Sequence, residues 1–217
     1  MKVISVNVGK PQEHEWRGLR VKTAIFKSPV EGPVAVGKLN LQGDEQGDLT
    51  VHGGADKAVY AYPYEHYGYW ESQLPGYALA PGNFGENLTI AGLSEESIHI
   101  GDQLQIGTAQ FTVTQPRTPC YKLGVRFNRE DMTKRFYESR RFGFYLRVLR
   151  EGTLQAGDDV TVVRTDPNAV SVADVAKLFT GDSRDPELLG RALKLSALPS
   201  GWRDALRERL AGRRSPN

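Results

Sequence analysis

The sequence predicts a mainly β chain with α-helices: a barrel- or sandwich-like core over residues 1–165 and a small three-helix appendage over 166–217. Three observations carry this reading. Short apolar runs alternate with polar residues and are punctuated by glycine, the signature of many short strands. Two segments switch to helical spacing inside that region. After about residue 166 the pattern turns into three capped helices.

The strands are read in order. Ile4, Val6 and Val8 alternate with Ser5 and Asn7. Lys22–Phe26 is a second run, stopped by Ser28-Pro29, and Val59–Tyr62 a third, ended by Pro63. His99-Ile100, Gln103–Ile106 and Gln110–Thr114 follow, separated by Gly101-Asp102 and Gly107-Thr108. Phe144–Leu149 and Val160–Val163 complete the set. One helix is expected after Pro63, with Tyr67, Trp70 and Leu74 on one face. Another is expected after Asn128, read as its N-cap, with Glu130 and Asp131 in the first turn. In the tail, Ser171 with Asp174 has the form of a capping box, Asp185-Pro186 of an N-cap followed by proline, and Ser200 of a third cap. Three short helices in some fifty residues bury too little to fold alone. They are expected to dock on the core, on a partner, or both, and a homodimer through this face is one such arrangement.

Composition bounds the function. The chain has 217 residues and a net charge of +2, which gives no basis for a nucleic-acid or membrane-surface protein. A single cysteine forms no internal disulfide and fits a reducing compartment, the cytoplasm being the simplest. The N-terminus has no secretory h-region, and no window approaches the roughly 20 apolar residues that span a bilayer.

Cys120 is the first candidate for chemistry. A thiolate is a soft ligand and the reactive form of cysteine. Arg117 and Lys122 stand within three residues and favour it, and Pro116 and Pro119 stiffen the segment. Packing is the competing reading, since free cysteine is often buried. The stretch Gly43–Asp48 and then Val51-His52-Gly53-Gly54-Ala55-Asp56-Lys57 offers backbone N–H groups and the Lys57 charge to an anion, or is simply a glycine turn. Lys27-Ser28 is either an anion clamp or a surface turn. Asn83–Leu88 is a loop with two amides. The four histidines lack zinc-site spacing. A Cys120–His52 hydrolase pairing has no sequence signature here. The tyrosines from 60 to 69, with Trp70, are read as core. Lys57 is their only nearby cation, too few for an RNA-stacking surface.

Taken in order, Gly43-Asp44-x-Gln46, His52-Gly53-Gly54-x-x-Lys57-Ala58-Val59, Asn83–Leu88, Ile100-Gly101-Asp102 and Gln115-Pro116-Arg117-x-Pro119-Cys120-x-Lys122-Leu123 resemble the MOSC domain, named for the C-terminal domain of molybdenum cofactor sulfurase. The tail resembles the three-helix extension of the stand-alone bacterial YiiM-type subgroup. The resemblance implies a β-barrel-like core and a molybdenum cofactor, a pterin dithiolene with a phosphate, ligated by Cys120. It implies that Lys27, Ser28 and Asn87 hold that cofactor, and the glycine loop with Gly53 and Gly54 and the cations Lys57, Arg117 and Lys122 suit its pterin and phosphate. Asp44, Asp48 and His52 are the candidates to assist protonation. Amidoxime-reducing relatives have an arginine where Gly85 stands and another following the position of Asp44. Lys57 or Arg117 is the replacement available here. The implied reaction is reduction of N-hydroxylated compounds, such as N-hydroxy bases and amidoximes, to amines, with electrons from a separate reductase. The alternative within the family is a carrier of the cofactor or of persulfide sulfur.

Overall fold

The computed structural model describes residues 1–46 and 53–210. Asp48 and His52 therefore lie outside the described residues. Strands β1 (Lys2–Val8), β4 (Ser28–Pro29), β6 (Val59–Pro63), β7 (Leu88–Ala91), β8 (Gln103–Ile106), β9 (Ala109–Pro116), β10 (Phe144–Arg150) and β12 (Val160–Arg164) form one eight-stranded sheet in the order β12-β8-β9-β10-β6-β7-β1-β4. Two smaller ladders flank it: β5 (Val34–Val36) with β11 (Gly152–Leu154), and β2 (Gln12–Trp16) with β3 (Leu19–Thr23). The main sheet curls until the start of β12 meets the start of β1. The Val3 N–H donates to the Asp158 carbonyl at 2.9 Å, and the Val160 N–H to that of Met1 at 2.9 Å. An isolated bridge between Lys2 and Asp159 marks the seam. The expected barrel is thus a curled sheet joined by a few bonds, not a continuous closed ladder.

Several sequence expectations shift. The run read as Lys22–Phe26 ends its pairing at Thr23, because β3 turns back on β2 through Arg17 and Gly18, both at positive φ (56° and 76°). That geometry suits a two-residue hairpin. Ala24, Ile25 and Lys27 are thereby left outside the ladder. His99 makes only an isolated bridge, to Ser171. Pro63 is the last residue of β6, and α1 (His66–Gln73) starts three residues later; Tyr67, Trp70 and Leu74 are buried as its spacing predicts. Asn128 is not an N-cap. It closes α2 (Lys122–Phe127), a helix the sequence reading missed, in the left-handed conformation (φ 50°) that asparagine tolerates. Asp131 then precedes α3 (Met132–Ser139).

The tail follows its capping signals. Ser171 and Asp174 form a capping box on α4 (Val172–Thr180), and Asp185 accepts the Glu187 N–H at the start of α5 (Pro186–Leu193). The last helix, α6, is Ser200–Leu210, with Ser200 inside its first turn. Val175, Leu178, Leu188, Leu189, Ala192, Leu195, Leu198 and Leu206 join the same buried cluster as Leu104, Phe111 and Leu146 of the sheet. Each valine, leucine or phenylalanine side chain among them contributes about 1.5–3 kcal/mol by leaving water. A second, aromatic cluster holds Tyr60, Tyr62, Tyr67, Trp70, Phe84, Phe136 and Phe142, with the Trp70 Nε1–H donating to the Tyr62 hydroxyl at 2.7 Å. Among the described residues no helix is long and apolar enough to cross a membrane.

Candidate functional site

An open cavity gathers residues that are far apart in sequence. One wall is Lys27, Asp44 and Asn87, and another is Arg117, Cys120 and Lys122. Tyr60 and Tyr145 lie between them, and Gln46, Lys57, Ile25 and Gly85 complete the lining.

The first wall is a closed polar network. Asp44 is buried and ion-paired with Lys27; its Oδ1 also accepts the Gly9 N–H at 2.8 Å, and its Oδ2 accepts Asn87 Nδ2 at 2.9 Å. Asn87 donates as well to the Asn7 carbonyl at 3.2 Å, and its Oδ1 accepts the Tyr60 N–H at 3.0 Å. These bonds tie β1, β6 and the segment after β3 together. Burial pushes the Lys27 ammonium below its ordinary value, and Asp44 pulls it partly back. Asp44 is therefore committed to holding Lys27. Gln46 pins the next loop: its Nε2 donates to the carbonyls of Leu39 and Lys57 at 2.8 and 3.1 Å, and its Oε1 accepts the Gly54 N–H at 2.9 Å. Gly54, at φ 98°, opens a short 3₁₀ turn over Ala55–Lys57, and burial lowers the Lys57 ammonium against the raising effect of Asp56.

The second wall is built differently. Arg117 follows β9 and is buried, yet has no carboxylate partner among the described residues. Its guanidinium carbon lies 5.1 Å from the ring centroids of both Tyr60 and Phe136, and its Nη1 is buried with no hydrogen-bond partner. Burial opposes this charge, but Tyr60, Cys120 and Tyr145 hold the group above its ordinary value. Cys120 is half-buried immediately before α2, and its carbonyl accepts the Leu123 N–H at 3.0 Å and the Thr133 hydroxyl at 3.2 Å. Tyr145 reaches the cavity from β10.

Seven of the sequence candidates thus meet in one cavity: Lys27, Asp44, Lys57, Asn87, Arg117, Cys120 and Lys122. Ser28 is exposed on β4, and neither it nor Gly53 or Gly54 lines the cavity. Tyr60 and Tyr145 were not anticipated as lining residues. Tyr60 was read only as core, and the alternation of β10 was the one sequence signal for Tyr145. Gln46, quoted in a motif, proves to be the loop's fastener.

The donor set fits a metal that arrives with anionic ligands of its own. Among the described residues no three His, Cys, Asp or Glu side chains cluster to cage an ion. One soft sulfur stands instead with three lysines and a buried guanidinium whose Nη1 has no hydrogen-bond partner among those residues.

Comparison with known proteins shows the family of the chain. Residues 48–161 match the MOSC domain family, and residues 170–213 match the YiiM-like, 3-alpha helix domain. The chain is 39% identical over 201 residues to YflK of Bacillus subtilis, covering 93% of this chain and 90% of that one. It is 35% identical over 195 residues to YiiM of Escherichia coli, covering 88% and 86%. A protein of Gibberella moniliformis named "Reductase" is 31% identical over 196 residues, 89% of this chain but 35% of its own length. The crystal structure of YiiM from Geobacillus stearothermophilus superposes with a TM-score of 0.80 at 35% identity, covering 96% and 98% of the two chains. By sequence, fold and tail together, this chain belongs to the MOSC domain family, in its form with a YiiM-like three-helix domain.

Proposed function

We propose that the protein is a molybdenum-cofactor-dependent reductase of N-hydroxylated compounds, acting on N-hydroxy bases or amidoximes to give amines. The observation that carries this reading is the cavity in which the Cys120 thiol stands with the buried Arg117 guanidinium, whose Nη1 has no hydrogen-bond partner among the described residues. Family membership supports a molybdenum cofactor there, and the fungal relative named "Reductase" supports reduction as the class of reaction.

Cys120 would supply the protein's sulfur ligand. Arg117, Lys57 and Lys122 would meet the anionic pterin and phosphate, and Lys27, fixed by Asp44, would add a positioned charge. The bound cofactor supplies the two-electron chemistry that an amino-acid side chain does not. Converting an N–OH group to N–H and water also consumes two protons. Asp44 is tied into its ion pair, which leaves the Tyr145 phenol, Asp48, His52 and water as sources. The electrons come from a separate reductase. A cytoplasmic setting suits the single free thiol.

The test is metal analysis and turnover of protein made in a host that synthesises the cofactor. Stoichiometric molybdenum, with reduction of an N-hydroxy purine by an artificial electron donor, supports the reading. Bound molybdenum that passes to another apo-enzyme without any turnover would mark a carrier and overturn it.

A further inference from the structure

The segment that ends at Cys120 also forms one wall of a second crevice. Pro116, Thr118 and Pro119 face Ala176 and Phe179 of α4 and Trp202 of α6 across an apolar crevice too narrow to hold a water molecule. The Phe179 and Trp202 rings lie 4.8 Å apart. Arg209, farther along α6, places its guanidinium 5.6 Å from the Phe179 ring and donates to the Leu178 carbonyl at 2.8 Å. A second connection reaches the cysteine from α3. Thr133 bonds the Cys120 carbonyl, while Arg140 at the end of the same helix grips Asp182 of the tail through two hydrogen bonds, at 2.6 and 3.0 Å. The tail thus braces the cysteine segment directly through the crevice and indirectly through α3.

We infer that the three-helix tail sets the place of the Cys120 thiol, with Phe179 and Trp202 as positioning residues that back the Pro116–Pro119 segment. The inference rests on the proposed function only for what the thiol binds. Two prolines limit how far the segment bends on its own. A rigid wall behind it fixes the rest, and a ligand atom shifted by about an ångström loses much of its effect.

Because Cys120 is the only cysteine, its alkylation rate reports one atom. The experiment measures iodoacetamide labelling of the metal-free, full-length protein, beside its melting temperature and the molybdenum it retains when made in a cofactor-competent host. Trp202→Ala is expected to change the labelling rate and lower molybdenum retention, each by about tenfold. Trp202→Phe should restore both. Leu189→Ala, buried in α5 outside the crevice, should lower the melting temperature while leaving the labelling rate within about twofold of wild type. Should Trp202→Ala not fold, Phe179→Leu and Asp182→Asn make the same comparison. An unchanged labelling rate in the crevice variants, or an equal change in Leu189→Ala, overturns the inference. Wild-type protein that binds no molybdenum, with the labelling pattern as expected, sinks the proposed function and leaves the positioning role standing.

Discussion

Arg117 holds its charge over the face of Tyr60, 5.1 Å from the ring centroid, and reaches no carboxylate among the described residues. A buried cation without a counter-ion is costly to keep, and ring faces offset only part of that cost. Arg117→Met, which keeps the volume and discards the charge, is therefore expected to leave stability within about 1 kcal/mol of wild type or to raise it. Molybdenum retained after desalting should fall by about tenfold or more, as for loss of a charge-assisted contact. Denaturant melts and metal analysis on the same preparations check both halves. A large loss of stability with full metal content would show the arginine to be structural.

Cys120→Ala should fold. The side chain is half-buried, and its backbone bonds to Leu123 and Thr133 do not involve sulfur. Stability is expected to change by less than about 1 kcal/mol. Turnover of N-hydroxy substrates and bound molybdenum should both disappear. A variant with wild-type turnover would remove the thiol from the mechanism.

Asp44→Asn leaves Lys27 buried without its partner, in a place where both side chains are almost fully enclosed. Breaking such a pair by one member typically costs about 3–5 kcal/mol. The same pair gives a pH signature. The Lys27 ammonium sits below the 10.5 of an exposed lysine, with burial the main cause. Between its folded value and 10.5 the unfolded chain binds more protons than the folded one, so stability from this group rises with pH across that window and is level below it. Urea melts of wild type and Lys27→Met through the alkaline range should differ by this rise. Parallel curves would contradict the assignment.

Gly85→Ala is expected to cost about 1–3 kcal/mol. The residue has φ of +80°, and an added Cβ would stand 2.8 Å from Cγ1 of Ile25, which lines the cavity. Ile25 must then move, so thermal stability and cofactor retention should fall together. Thermal melts and metal content report the two effects.

Much of this architecture is legible in the chain because the signals are local. The alternation of Ile4, Val6 and Val8, the glycine breaks around Gln103–Ile106, and the Ser171 and Asp185 caps each specify their element within a few residues. The strand β2 was hidden because Gln12–Trp16 is polar and lies on a flanking hairpin rather than in the core. The helix α2 was hidden for a related reason. It is short, carries Gly124 at its middle, and Asn128 suits a helix end as well as a beginning. At the site, the ordered motifs pointed to the cavity residues, but not to what each one touches. That Asp44 is spoken for by Lys27, or that Arg117 lies between two rings, depends on contacts between segments separated in sequence. No local pattern encodes such contacts.

The few bonds joining Met1 and Val3 to the stretch from Asp158 to Val160 have a consequence for how the molecule is made. They link the start of the chain to residues synthesised much later, so the sheet cannot close on the ribosome until the region up to Val160 has emerged. Contacts this distant form slowly, because a long loop must be ordered before they repay it. The first strand can pair with β7 once Leu88–Ala91 has emerged, but its seam edge at Met1–Val3 waits unpaired through most of synthesis. During that interval this edge is open to chaperone capture or mispairing.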